Sequence, residues 1–111
     1  YINSSALVMP SLIGPTNIPP WEAFNLDIPV LYTDFDNIKS VLKDAVYYID
    51  PLKPDSMVQG VKKIISDKKF TKNLTEKGRD LINNINQKEE YDQFFNSILK
   101  NREIRERWIF N

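Results

Sequence analysis

Hydrophobic and polar positions fall along this chain in blocks whose lengths separate strands from helices. Ala6-Leu-Val-Met9 is a short apolar run between polar Asn3-Ser4-Ser5 and Pro10. It predicts a strand buried on both faces, as a parallel sheet requires. Pro19 and Pro20 suit first helical positions, where a missing N–H costs little, and Trp21 to Leu26 continue as a short helix. Ile28-Pro-Val-Leu-Tyr32, β-branched and aromatic with a polar exit at Thr33-Asp34, predicts a second buried strand. The one short helix between these strands is the minimum for a right-handed β-α-β crossover.

The pattern then repeats with longer helices. Ile38, Val41 and Leu42 have helical spacing within Asp36 to Lys43, and Ala45-Val-Tyr-Tyr-Ile49 is a third strand candidate, stopped by Asp50-Pro51. Asp55 can cap the next helix, whose buried face is marked by Met57, Val58, Val61, Ile64 and Ile65. A further helix runs from about Lys69 to Asn84, with Phe70, Leu74, Leu81 and Ile82 inward. Gly78 is its weak point, costing roughly 1 kcal/mol against alanine. From Glu89 to Trp108, Tyr91, Phe94, Phe95, Ile98 and Leu99 share one side before the sequence turns strongly charged. The order β-α-β-α-β-α-α-α describes a short three-stranded parallel sheet flanked by helices, half of a doubly wound α/β domain. Such a half exposes a sheet edge, which invites self-association or a covering partner.

Composition narrows the chemistry. With 111 residues, 41% of them apolar, the chain can bury one small core. Fifteen basic residues balance fifteen acidic ones, so there is no broad positive field for nucleic acid. The absence of cysteine and histidine removes disulfides, thiol nucleophiles, imidazole bases and His-ligated zinc. Any chemistry must rest on carboxylates, lysines, backbone amides or another polypeptide. No apolar run approaches the roughly eighteen residues that span a bilayer. Tyr1 is not an initiator methionine, and the expectation is a piece of a longer protein.

The stretch Pro10 to Phe24, PSLIGPTNIPPWEAF, joins the first strand to the first helix through a glycine-containing loop. That is how an α/β protein commonly presents backbone N–H groups to a phosphate. The run ALVMPSLIGPTNIPPWEAFNLDIPVLYTD, with IKSVLKDAVYYIDPLKPDSMVQGVKKIISDKKFTKNLTEKGRDLI after it, resembles the C-terminal donor-binding domain of retaining GT-B glycosyltransferases, group 1 and family 4-like. The likeness covers Ala6 to Ile82 in one colinear block. Its marks are a strand ending in Pro-Ser, a loop followed by Pro-x-x-Glu-Ala spacing, a Pro-Val strand, and a later Asp-Pro leading to a helix.

The resemblance implies a partial Rossmann-like fold, the GT-B C-terminal half, over residues 1–88, with 89–111 as a C-terminal helix and interdomain docking segment. It implies a parent enzyme that transfers a sugar from a nucleotide-diphosphate-sugar donor to a saccharide or lipid-linked acceptor, in cell-surface polysaccharide synthesis. The donor is a substrate, no cofactor or metal is required, and the acceptor is held by a separate N-terminal domain. The place of work is cytoplasmic, at the inner face of the membrane. Position by position, Glu22 matches the second acid of the family's paired-glutamate motif, a ligand for the ribose hydroxyls. Thr16, Asn17 and Ile18 match positions whose backbone N–H groups face the diphosphate and sugar. The first acid falls on Gly14, and the two family glycines fall on Pro15 and Asn17, so the loop is a variant in which the Thr16 hydroxyl or Asn17 amide takes over sugar contacts. Asp27 stands where the family has a helix-closing glycine. The implied donor-binding set is thus Gly14, Thr16, Asn17, Ile18 and Glu22, with no catalytic residue in this chain and no turnover expected from it alone.

Plainer readings stand beside these. Glu22 can be a solvated helix residue, Gly14-Pro15 a tight turn, and Asp34 with Asp36 capping groups rather than a metal site. The alternating charges from Lys100 to Arg107 fit a solvated helical face, with a membrane surface as the rival. The competing function is a non-catalytic Rossmann-like interaction or oligomerisation module, with a homo-oligomer formed through the exposed edge.

Overall fold

A computed structural model of the chain describes residues 1–12 and 18–85. Three parallel strands, β1 (Leu7–Met9), β2 (Val30–Thr33) and β3 (Tyr47–Ile49), lie in the order β1-β2-β3. Helices α1 (Ile18–Asn25), α2 (Asp36–Leu42), α3 (Pro54–Ser66) and α4 (Lys68–Ile85) flank them. The expected α/β class and the parallel sheet are what the chain forms. The segment 89–111 and its aromatic face lie outside the described residues.

β2 is central, and every one of its side chains is buried. Its period of two sends Val30 and Tyr32 into a core with Phe24, Ile38, Leu42 and Val46 beneath α1 and α2. Leu31 points the other way, into a core with Ile49, Ile64 and Leu74 beneath α3 and the first half of α4. The apolar run Leu7 to Met9 is half-buried rather than fully so, because β1 is an edge strand with β2 on one side only. Thr33, fully buried, donates its hydroxyl to the Met9 carbonyl at 3.2 Å and ties the C-terminal ends of β1 and β2 together.

α1 ends in a Schellman closure. Ile28 N–H donates to the Ala23 carbonyl at 2.9 Å, and Asp27 N–H donates to the Phe24 carbonyl at 3.2 Å. Asp27 has φ of 56°, the left-handed geometry that the family glycine implied. Asp is among the few side chains that tolerate it.

Three sequence expectations are corrected. Asp55 does not cap α3: Lys53, two residues earlier, occupies the N-cap, the helix starts at Pro54, and Asp55 lies in the first turn. Proline suits that first position and fixes the start, leaving Asp55 to act on the helix dipole instead. Val58 and Ile65 are exposed, because α3 rests on the sheet through Met57, Gly60, Val61 and Ile64 alone. Gly78 is not a weak point: a Cβ there would lie 2.6 Å from Phe24 Cδ1 and 3.0 Å from Cγ. The residue that lowers helix propensity is the one that lets α4 touch α1.

α4 crosses from one core to the other, with Leu74 in the α3 core and Leu81 in the α1 core. On the way Lys77 pairs with Asp44 at 2.8 Å, and Arg79 pairs with Asp27. Asp27 precedes β2 and Asp44 precedes β3, so α4 braces the N-terminal ends of the strands. The opposite end is left to the loops.

Candidate functional site

In a parallel sheet the C-terminal ends of all strands share one end, and ligands of open α/β folds bind there. Three connections meet at that end: the one leaving Met9, the turn Asp34-Phe35 after β2, and Asp50-Pro51 after β3. Gly14, Thr16 and Asn17 lie outside the described residues. Ile18 and Glu22 do not. Ile18 is the first residue of α1 and Glu22 follows four residues later, so both fall on one helix face, and both are exposed.

The helix start is chemically unusual. A helix begins with four N–H groups that lack intrahelical acceptors. In α1 two of those positions are Pro19 and Pro20, which carry none, leaving Ile18 as the donor among the described residues of this turn. Anion binding here therefore draws on fewer amides than a helix start usually offers. Pro20 is buried and Trp21 packs edge-on against Phe24 at 5.7 Å between centroids, so this first turn is fixed from below.

Glu22 lies beside Tyr1, whose pKa is raised by hydrogen bonding to the carboxylate first, then by burial and by the carboxylate charge.

At the β2 end of the same edge, Asp34 and Lys39 form an ion pair at 2.5 Å, and Asp34 N–H donates to the Ile49 carbonyl at 3.0 Å. The bond to Asp34 raises the Lys39 pKa. The ammonium also lies 5.5 Å from the centroid of the Tyr48 ring. Asp36 sits in the first turn of α2, where its charge suits the dipole. Among the described residues no group of three or more His, Cys, Asp or Glu side chains could hold a metal. Asp34 is thus occupied as the partner of a lysine. Sequence reading missed Lys39 as a cation at the loop end of the sheet, although its five-residue separation from Asp34 across a helix start was the available signal.

The family assignment comes from comparison. A sequence profile described as Glycosyl transferases group 1 matches residues 1–81. The chain belongs to the group 1 glycosyl transferases. No curated protein and no solved structure matches it. The group 1 match spans the whole sheet, α1, α2 and α3, and most of α4, ending at Leu81. Group 1 membership supports a glycosyl-transfer function, which involves a sugar donor and an acceptor in general.

Proposed function

We propose that this chain is the donor-binding part of a retaining GT-B glycosyltransferase that uses a nucleotide-diphosphate-sugar. The acceptor is a saccharide or a lipid-linked saccharide in cell-surface polysaccharide synthesis, reached at the inner face of the membrane. The observation that carries the reading is the group 1 match over residues 1–81 combined with an exposed Glu22 on the helix that follows the loop. In this reading the exposed Glu22 carboxylate accepts from the two vicinal ribose hydroxyls. Charge-assisted bonds of this kind are about twice as strong as neutral ones. The stretch Gly14 to Ile18 faces the diphosphate, and the α1 dipole adds roughly 0.3–1 kcal/mol at that end. Thr16 and Asn17 supply sugar contacts where the usual acid is replaced by Gly14. No metal is assigned a role.

The test is calorimetric titration of the full-length protein with UDP and with GDP. Glu22→Ala should weaken binding of the preferred nucleotide by about 1–3 kcal/mol, the value of hydrogen bonds to a charged group. An unchanged affinity would remove Glu22 from the site.

The half-buried edge of β1 favours a second reading, a non-catalytic module that assembles through this strand. It predicts a concentration-dependent oligomer whose thermal stability ignores UDP and GDP. A nucleotide-dependent rise in Tm, with no change in mass on sizing, decides against it.

A further inference from the structure

The donor-site reading assigns roles to α1, but α1 has only eight residues and two of its early N–H groups are missing. A helix so short is set in place by what packs on it. Its described neighbours are the sheet below and α4 beside it. Gly78 of α4 lies so close to Phe24 that an added Cβ would come within 2.6 Å of the ring. Ordinary carbon contacts need about 3.5–4.0 Å, so an alanine would have to displace something by about 1 Å. The ring cannot yield freely, because Phe24 is 1% exposed and Trp21 packs edge-on against it. What is left to change is the spacing of α1 and α4, and with it the seat of α1 on its neighbours.

One residue after Gly78, Arg79 grips the other side of the same joint. Its Nε donates to Asp27 Oδ1 at 3.0 Å and its Nη2 donates to Oδ2. Asp27 is the left-handed residue that closes α1 and leads into β2. A two-point guanidinium–carboxylate contact fixes orientation as well as distance. Neighbouring residues of α4 therefore hold α1 by its ring and by its C-terminus, at the end of the sheet opposite the loops.

We propose that Gly78, Arg79 and Asp27 are positioning residues for the donor site: α4 clamps the C-terminal half of α1 and so sets where Ile18 and Glu22 stand at the loop end. This inference rests on the donor-site reading. A carboxylate moved by about 1 Å leaves hydrogen-bonding range of a ligand hydroxyl, so the clamp is expected to be felt in ligand affinity.

The experiment compares Gly78→Ala, Arg79→Ala, Arg79→Lys and Asp27→Gly in the full-length protein. Two readouts are taken well below each variant's Tm: amide hydrogen exchange of residues 21–26 without ligand, and affinity for whichever of UDP and GDP the wild type prefers. Asp27→Gly keeps the left-handed turn, relieves its strain and removes the carboxylate, so a looser α1 in this variant reports the clamp rather than backbone strain. The expected result is faster exchange in α1 for Gly78→Ala, Arg79→Ala and Asp27→Gly, with the nucleotide Kd raised roughly tenfold in Gly78→Ala, as for the loss of one hydrogen bond to a charged group. Arg79→Lys should recover part of the loss seen in Arg79→Ala. Should Gly78→Ala fail to fold, Arg79→Ala and Asp27→Gly, at exposed positions, carry the test. A lower Tm with wild-type affinity for the preferred nucleotide in these variants means a purely structural role and overturns the proposal, as does unchanged exchange. If the wild-type protein binds neither UDP nor GDP, the donor-site reading fails and the proposal falls with it, while the exchange data still report whether the clamp exists.

Discussion

Tyr48 shows how one side chain can report the packing around it. Its hydroxyl donates to the Lys43 carbonyl at 2.5 Å, its ring lies under the Lys39 ammonium, and burial, followed by the charges of Asp34 and Asp44, pushes its pKa up to about 12. A tyrosine pKa raised by folding means that the folded state favours the neutral phenol. That contribution is complete below the ordinary value of 10.0 and disappears as pH climbs towards 12. Wild-type stability should therefore fall across this window as the hydroxyl ionises. Tyr48→Phe removes the titrating group, so it should be less stable than wild type below the window and show a flatter decline through it. Denaturant midpoints measured at intervals from neutral to alkaline pH check this, and parallel curves for the two proteins would contradict it.

At the scale of elements, Asp67 closes one helix and opens the next. Its N–H donates to the Lys63 carbonyl at 3.0 Å, ending α3, and its Oδ1 accepts from the Phe70 N–H at 2.9 Å, starting α4. The Lys63 ammonium 2.7 Å away, followed by the Phe70 bond, holds its carboxyl below the usual range. A depressed carboxylate stabilises the fold above its unfolded pKa and ceases to do so as pH falls through the folded one. Asp67→Asn keeps the cap and loses the charge; Asp67→Ala loses both. Exposed ion pairs are worth little, whereas caps matter. Asp67→Asn should thus melt near wild type and Asp67→Ala clearly lower, by thermal denaturation; equal losses would shift the credit to the ion pair. The sequence disclosed this boundary to within a residue, since hydrophobic spacing places the end of one helix and the start of the next. It disclosed the strands as types but not their trimming or exposure: Ile28 and Ala45, buried without pairing in the sheet, read the same as strand residues, and β1 reads as fully buried. Burial from above and below follows composition, whereas an edge position follows from which neighbour pairs, and that is a long-range fact. Gly78 failed for the same reason, because its purpose lies on Phe24, dozens of residues earlier. Of the candidate site, motif spacing singled out Glu22, which stands exposed on α1, and did not single out Lys39.

For the whole molecule, the notable fact is that two cores on opposite faces of a small sheet share one helix. Leu74 belongs to the α3 side and Leu81 to the α1 side, while Lys77 and Arg79 reach the segments preceding β3 and β2. If α4 couples the layers, damage on one face must be felt on the other at the same denaturant concentration. Leu74→Ala tests this. The residue is 4% exposed, so truncation should cost about 2–5 kcal/mol through lost transfer energy and an unfilled cavity. Trp21 packs on the α1 core and reports that face by fluorescence, provided the second tryptophan, Trp108, is replaced by phenylalanine. The expected outcome is a single transition: Trp21 fluorescence and far-ultraviolet circular dichroism shift together to the same lower midpoint, although the cavity lies across the sheet from the probe. Coincident transitions are the mark of two-state unfolding. Were Trp21 to keep its wild-type midpoint while the helical signal fell earlier, the two faces would be separate units. The clamp of α4 on α1 would then be too weak to hold α1 in place.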